Sequence, residues 1–292
     1  MRAPVPLRAV LFALAMSSCV GGALAQAAPA PSAYEPSVGQ EGKDVVWVPT
    51  PQALVDKMLD PAKVTPADYL IDLGSGDGRT VITAAKRGVR ALGIEYNPDM
   101  IELSKRNAEQ QRVGDKAKFA KADLFESDFS KASVITMFLL DRINLQLRPK
   151  LLGLRPGTRL VSNTFTMGDW AADEQVNATE REGCQSYCAA YLWNVPAKVG
   201  GTWTLPQGEL TLKQEFQTIS GLLKAGDKVL PVTGRLRGDR IMFKAGGADY
   251  AGRVTGDSIE GFGKGPAALP ARTQALNDSV NQIRHERVPP HS

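Results

Sequence analysis

Histidine is nearly missing from this chain: of 292 residues only His285 and His291 are histidine, and both stand in a proline-containing tail. That scarcity removes most His-based triads, His-rich metal sites and imidazole general bases from the working chemistry, and no metal is expected. Cysteine is scarce too, three residues in all. A long apolar run is also lacking; Ala9 to Met16 is too short to span a bilayer, so no stable membrane span is expected. Nor is there a large charge of one sign. The 35 Lys+Arg and 31 Asp+Glu give +4, and without Arg2 and Arg8 the remainder carries 33 against 31. A near-neutral body lacks the basic excess that neutralises phosphates, so nucleic acid is not an expected partner. With 43% hydrophobic and 23% charged residues, wholesale disorder is excluded.

What is present begins with an export pattern. Arg2 and Arg8 precede the Ala9–Met16 stretch, and small residues follow, ending Ala23-Leu24-Ala25. This predicts a secretory signal over 1–25, cleaved after Ala25, and a periplasmic mature protein in a Gram-negative bacterium. A retained anchor or a lipid-modified Cys19 are the alternatives. After cleavage only Cys184 and Cys188 remain, an even pair in an oxidising compartment. On a helix their Cα atoms would lie about 6 Å apart and could be bridged. On a strand they would lie roughly 13 Å apart and could not, so the spacing leaves the disulfide open.

Composition divides the rest. Residues 26–42 read as a flexible leader, 43–196 as an α/β domain, 197–265 as a β-rich carboxyl-terminal domain and 266–292 as a flexible tail with at most a short helix near 274–284. Tyr69 to Leu73 is an apolar strand running into a glycine turn, Gly74 to Gly78. Thr80 to Arg87 has helical spacing, Arg90 to Glu95 is a second strand, and Asn97-Pro98 starts a helix to about Arg112. Ala117 to Lys121, Ser133 to Leu140 and Arg159 to Asn163 are further strands, with a helix over Leu145 to Leu152. Strands and helices alternating at this spacing predict a Rossmann-like, doubly wound, mostly parallel sheet. Beyond Pro196, period-two alternation and a weak repeat, Gly234-Arg-Leu-Arg-Gly-Asp-Arg-Ile and Gly252-Arg-Val-Thr-Gly-Asp-Ser-Ile, predict antiparallel hairpins turning at Gly-Asp.

The chemistry concentrates in Asp72-Leu-Gly-Ser-Gly-Asp-Gly-Arg79, with Glu95 ending the second strand and Asp123 following the third. A glycine turn lets the backbone approach a ligand, and a carboxylate ending the next strand suits ribose hydroxyls. Both features fit either a nicotinamide dinucleotide or an adenosyl sulfonium. Spacing separates them: the dinucleotide pattern is G-x-G-x-x-G, whereas here the third glycine comes one residue early. Asp77 would also bring negative charge towards a pyrophosphate. An acidic, glycine-rich turn suits a ligand carrying an ammonium and a sulfonium.

Asp72 to Thr80 resembles motif I of the class I S-adenosylmethionine-dependent methyltransferases, Gly-Ile-Glu95-Tyr-Asn-Pro-Asp their second motif and Lys-Ala-Asp123-Leu their third. Trp47-Val-Pro-Thr-Pro51, the glycine turn and Asn144-Leu-Gln-Leu-Arg-Pro-Lys resemble a group related to the mitochondrial lysine methyltransferases that act on the ATP synthase c-subunit and on adenine nucleotide translocase. The resemblance implies S-adenosylmethionine as cofactor, with Gly74, Ser75, Gly76 and Gly78 along its methionine part and Asp72 nearby. It implies Glu95 at the ribose hydroxyls and Asp123 at the adenine amino group; Tyr96 and Leu124 are further candidates for cofactor binding, and Thr50 for bordering the cofactor carboxylate. The implied reaction is methylation of an amine, a protein lysine or a small molecule. Asp141 and Asn144, leaving the fourth strand, are the candidate catalytic pair, to take or orient a proton and to accept a hydrogen bond from the amine, with a helix cap or ordinary polar residues the alternative. Phe165 and Trp170 are candidates for an aromatic wall around a cation, with plain packing the alternative. A non-catalytic exported binding protein on the same scaffold is the competing function.

Overall fold

The computed structural model describes residues 34–205 and 208–264. The expected signal 1–25, Cys19, the beginning of the leader and the tail 266–292 with its short helix lie outside the described residues.

Helix α1 (Gln52–Leu59) precedes strand β1 (Tyr69–Leu73). Then come α2 (Arg79–Lys86), β2 (Arg90–Glu95), α3 (Pro98–Gln110), β3 (Ala117–Lys121), β4 (Val134–Met137), α4 (Asp141–Leu152) and β5 (Arg159–Asn163). The five strands are parallel to their neighbours. Two more, β6 (Glu174–Asn177) and β7 (Ala189–Asn194), complete the order β3-β2-β1-β4-β5-β7-β6: β7 pairs antiparallel with β5, and β6 pairs antiparallel with β7. The chain reverses its direction of winding between β1 and β4, and ligands bind at the carboxyl edge of such a switch point.

Period-two alternation explains the burial on both faces of the sheet. Leu70, Val134 and Val161 pack with Leu54 and Val55 of α1 and Val81 of α2. Ile71, Leu73, Ile135, Met137 and Leu160 pack with Ile143, Leu147 and Leu151 of α4. Asn97 caps α3 by accepting the Asp99 N–H at 2.9 Å, and Pro98 takes the first helical position.

One boundary differs from the sequence reading. The apolar run from Ser133 supplies only four strand residues, and α4 starts at Asp141 instead of Leu145. The Leu140 carbonyl accepts the N–H groups of Ile143 and Asn144, which opens the helix there, and Asp141 complements its amino-terminal dipole. Phe138 to Leu140 are thereby released from the sheet at its carboxyl edge.

A second sheet is a meander of β8 (Gly201–Leu205), β9 (Gly208–Glu215), β10 (Thr218–Ala225), β11 (Lys228–Arg237), β12 (Arg240–Ala245), β13 (Ala248–Thr255) and β14 (Ser258–Lys264), each paired with its sequence neighbour. Gly238-Asp239 and Gly256-Asp257 form two-residue turns with glycine at φ 61° and 58°, the backbone that tight hairpins require. Gly226-Asp227 makes a third such turn. The sheet meets the α/β half where Phe216 stacks on Trp170, ring centroids 5.8 Å apart, and where Gln217 donates to the Ala171 carbonyl at 2.7 Å. Among the described residues no helix is long and apolar enough to cross a membrane.

Candidate active site

The turn after β1 is fixed before any ligand arrives. The N–H groups of Gly74 and Ser75 both donate to the Ile94 carbonyl at 2.9 and 3.0 Å, tying the turn to β2. From α3, Ser104 donates to the Gly76 carbonyl and Asn107 to the Asp77 carbonyl. Gly76 has φ 53°, and a Cβ there would lie 2.6 Å from the Trp47 indole nitrogen, so a side chain is excluded both by backbone and by space. Trp47 belongs to a segment, residues 40–50, that runs along the turn and is held by hydrogen bonds between Gly39, Gln40 and Trp47.

Turn and segment enclose a cavity of about 370 Å³ at the carboxyl edge of the sheet. Thr50, Asp72, Gly74, Ser75, Gly76, Glu95, Tyr96, Asp123 and Leu124 all line it. Gly78 does not; it takes the N-cap of α2, where a Cβ would strike the Phe119 ring. The Glu95 carboxylate accepts the N–H groups of Gly76, Tyr96 and Asn97 at 2.9 to 3.0 Å. Asp123 accepts the Phe125 N–H at 2.8 Å and pairs with Lys43, which also sits 4.7 Å over the Tyr96 ring. The Lys43 hydrogen bond holds the Asp123 carboxyl below its usual range. Asp77 pairs with Arg79, whose guanidinium donates to the Thr50 carbonyl at 2.9 Å.

Asp72 lies opposite Thr136 in the β1–β4 register and accepts its hydroxyl at 2.6 Å. Burial pushes this carboxyl up to about 7; the Thr136 bond opposes that, and nearby Glu95 and Asp77 add to it. Asp72, Asp77, Glu95 and Asp123 therefore line one cavity, while Lys43 and Arg79 are already engaged by acids. Such a lining suits a cationic ligand and opposes a pyrophosphate, whose usual donor, the Gly76 N–H, is already taken by Glu95.

The expected catalytic pair stands elsewhere. Asp141 and Asn144 belong to the first turn of α4 and do not line the cavity. Asp141 accepts the N–H and hydroxyl of Thr166; Asn144 is fully buried and donates to Ser162 Oγ and to the Phe165 and Thr166 carbonyls. Because α4 begins four residues early, both side chains turn towards the loop after β5, which they brace. Trp170 is 1% exposed and packs between Trp193 and Phe216, whereas Phe165 does line the cavity. Sequence reasoning missed Phe138, Lys43 and Tyr187, also in the lining. The release of Phe138 from the apolar run was the one local signal available.

Sheet order, glycine turn and acids at successive strand ends define a class I methyltransferase that uses S-adenosylmethionine. Comparison with known proteins narrows this. The ANTKMT methyltransferase domain family matches residues 72–174. A protein-lysine N-methyltransferase of Saccharolobus islandicus is 43% identical over 139 residues, 47% of this chain and 86% of that protein. The human lysine N-methyltransferase of the ATP synthase c-subunit is 39% identical over 105 residues, 36% of this chain and 45% of that one, so the match spans about half of the human relative. A crystal structure of an RNA methyltransferase from Salinibacter ruber with S-adenosyl-L-homocysteine is 45% identical, covering 52% of this chain and 96% of that chain at a TM-score of 0.48. The chain belongs to the ANTKMT methyltransferase family.

Proposed function

We propose that this methyltransferase modifies a primary amine, the side chain of a protein lysine, and that it does so after export. The observation that carries the acceptor reading is the order of side chains along the sheet edge. Asp123 and Glu95 follow β3 and β2, the acidic glycine turn follows β1, and the rings of Phe138 and Phe165 follow β4 and β5, 6.0 Å apart. An aromatic surface beyond the cofactor's acids suits an alkylammonium group. The names of the archaeal and human relatives support lysine as its source. Export is supported by the arginine-led apolar segment at the amino terminus and by the Cys184–Cys188 disulfide, which an oxidising compartment maintains.

Glu95 and Asp123 would hold the adenosyl part of S-adenosylmethionine, and the turn with Asp72 its methionine part. Bound there, the cofactor supplies a methyl group on a sulfonium, open to in-line attack by a neutral amine. The chain positions that amine and dries its surroundings. A lysine amine titrates near 10.4 in water; loss of solvent and a neighbouring sulfonium charge would lower that value, while the faces of Phe138 and Phe165 hold the side chain in place. The Asp141 carboxylate is satisfied by Thr166 and serves to hold the loop.

The test is transfer of labelled methyl from S-adenosylmethionine to periplasmic protein by the purified chain, with Glu95→Ala beside it. Label on lysine from the wild type alone is the expected result. Label on RNA or on a small amine would replace the lysine reading, and binding without transfer would return the scaffold reading.

A further inference from the structure

The loop between β6 and β7 lies beyond the residues matched by the family, which end at 174. It is tied at several points. The Ala178 N–H donates to the Cys188 carbonyl and the Cys184 N–H to the Thr179 carbonyl, at 2.8 and 3.1 Å. Glu182 caps the single turn at 180–182 and pairs with Lys57 of α1 at 2.9 Å. Cys184 is buried in the core beneath α1, and its disulfide to Cys188 closes five residues with the Cα atoms 5.8 Å apart.

Tyr187 stands one residue before Cys188, at φ 55°, a left-handed backbone that a tyrosine seldom adopts unless its surroundings impose it. Its ring meets Phe138 at 5.2 Å, edge to face, and Phe165 at 6.4 Å. Tyr187 is 42% exposed and lines the cavity. The three rings touch one another, so they form a continuous shelf with a free face, not a hollow cage. We infer that Tyr187, aimed by the Cys184–Cys188 loop, completes with Phe138 and Phe165 a binding surface for the alkylammonium side chain of the acceptor. A shelf of π-faces attracts a cation and strips its water without offering a carboxylate that would keep it protonated. This rests on the amine reading above, and it makes the loop a determinant of which acceptors enter.

Butyltrimethylammonium, a permanently charged mimic of a methylated lysine side chain, serves as probe against protein loaded with S-adenosylhomocysteine. Its binding by ligand-observed NMR, and that of S-adenosylhomocysteine by calorimetry, are measured for wild type, Tyr187→Phe, Tyr187→Ala and the Cys184→Ser/Cys188→Ser double variant. Expected is wild-type binding of the probe by Tyr187→Phe, a loss of about five-fold in Tyr187→Ala and a similar loss in the double variant. Undiminished S-adenosylhomocysteine binding shows that each variant is folded. Equal probe affinity in wild type and Tyr187→Ala overturns the inference while leaving lysine methylation intact. Absence of probe binding in the wild type overturns it too. Failure of the wild type to methylate any amine overturns the underlying reading instead.

Discussion

Lys43 reaches across eighty positions of sequence to pair with Asp123, and the same ammonium lies over the ring of Tyr96. The cation thus occupies the acid that the resemblance assigns to the adenine, and a ring of the same cavity. Adenosylmethionine must share or displace it. Lys43→Ala is therefore expected to tighten S-adenosylhomocysteine binding a few-fold and to flatten its salt dependence. Calorimetry at two ionic strengths checks this; weaker binding in the variant would show that Lys43 closes over the ligand instead.

Asp72 supplies a pH signature. Its carboxyl is raised to about 7 in the folded chain, against about 3.9 unfolded. Between those values the folded state holds a proton that the unfolded state has lost, so this group's contribution to stability falls as pH rises from about 4 to 7 and is constant above. A cationic ligand favours the ionised form. Affinity for adenosylmethionine is then expected to weaken by up to about tenfold per unit as pH falls below 7, with proton release on binding. Calorimetry at pH 6 in buffers of different ionisation enthalpy measures that release, and Asp72→Asn should abolish it. A constant affinity from pH 5 to 8 would contradict the assignment.

Asp141 and Asn144 are expected to behave as struts. Asp141→Ala and Asn144→Ala free the loop that carries Phe165, so KM for the amine should rise several-fold with S-adenosylhomocysteine affinity unchanged. Asn144→Ala should also cost about 1–3 kcal/mol of stability, because its buried amide donates to the buried Ser162 hydroxyl and to the part-buried Phe165 and Thr166 carbonyls. A fall in kcat at constant KM, with one limb of the pH profile lost, would restore them to the chemistry.

Gly76→Ala combines a forced left-handed backbone with a clash against Trp47. The backbone alone costs about 1–2 kcal/mol, and the indole must also move. Gly157→Ala has the strain without the clash, since its φ is 88° and nothing lies within 4 Å of the added carbon. A drop of at least about tenfold in cofactor affinity is expected for the first and not the second. Equal losses would show that Trp47 yields freely.

The cofactor half of the site was legible because its residues are local: one turn, then one acid at each following strand end, each fixed by backbone geometry. Of the acceptor half only Phe165 was. Phe138 was hidden inside an apolar run that reads as continuous strand, and Tyr187 reaches the cavity only through β6 and β7. Four-residue β6 is largely exposed at a sheet edge and carries no alternation to reveal it. The disulfide stayed open for the same reason, since its feasibility depended on the loop's path.

The second sheet bonds each strand only to the strands before and after it in sequence. Its architecture therefore behaves like a folding ruler: a hairpin can be removed from or spliced onto the β14 end without rethreading anything. The junction with the α/β half sits away from that end, at Phe216 and Gln217 and at Arg235 of β11, which pairs with Asp173. A hairpin added at the β14 end alters the hydrogen-bonding partners of β14 alone.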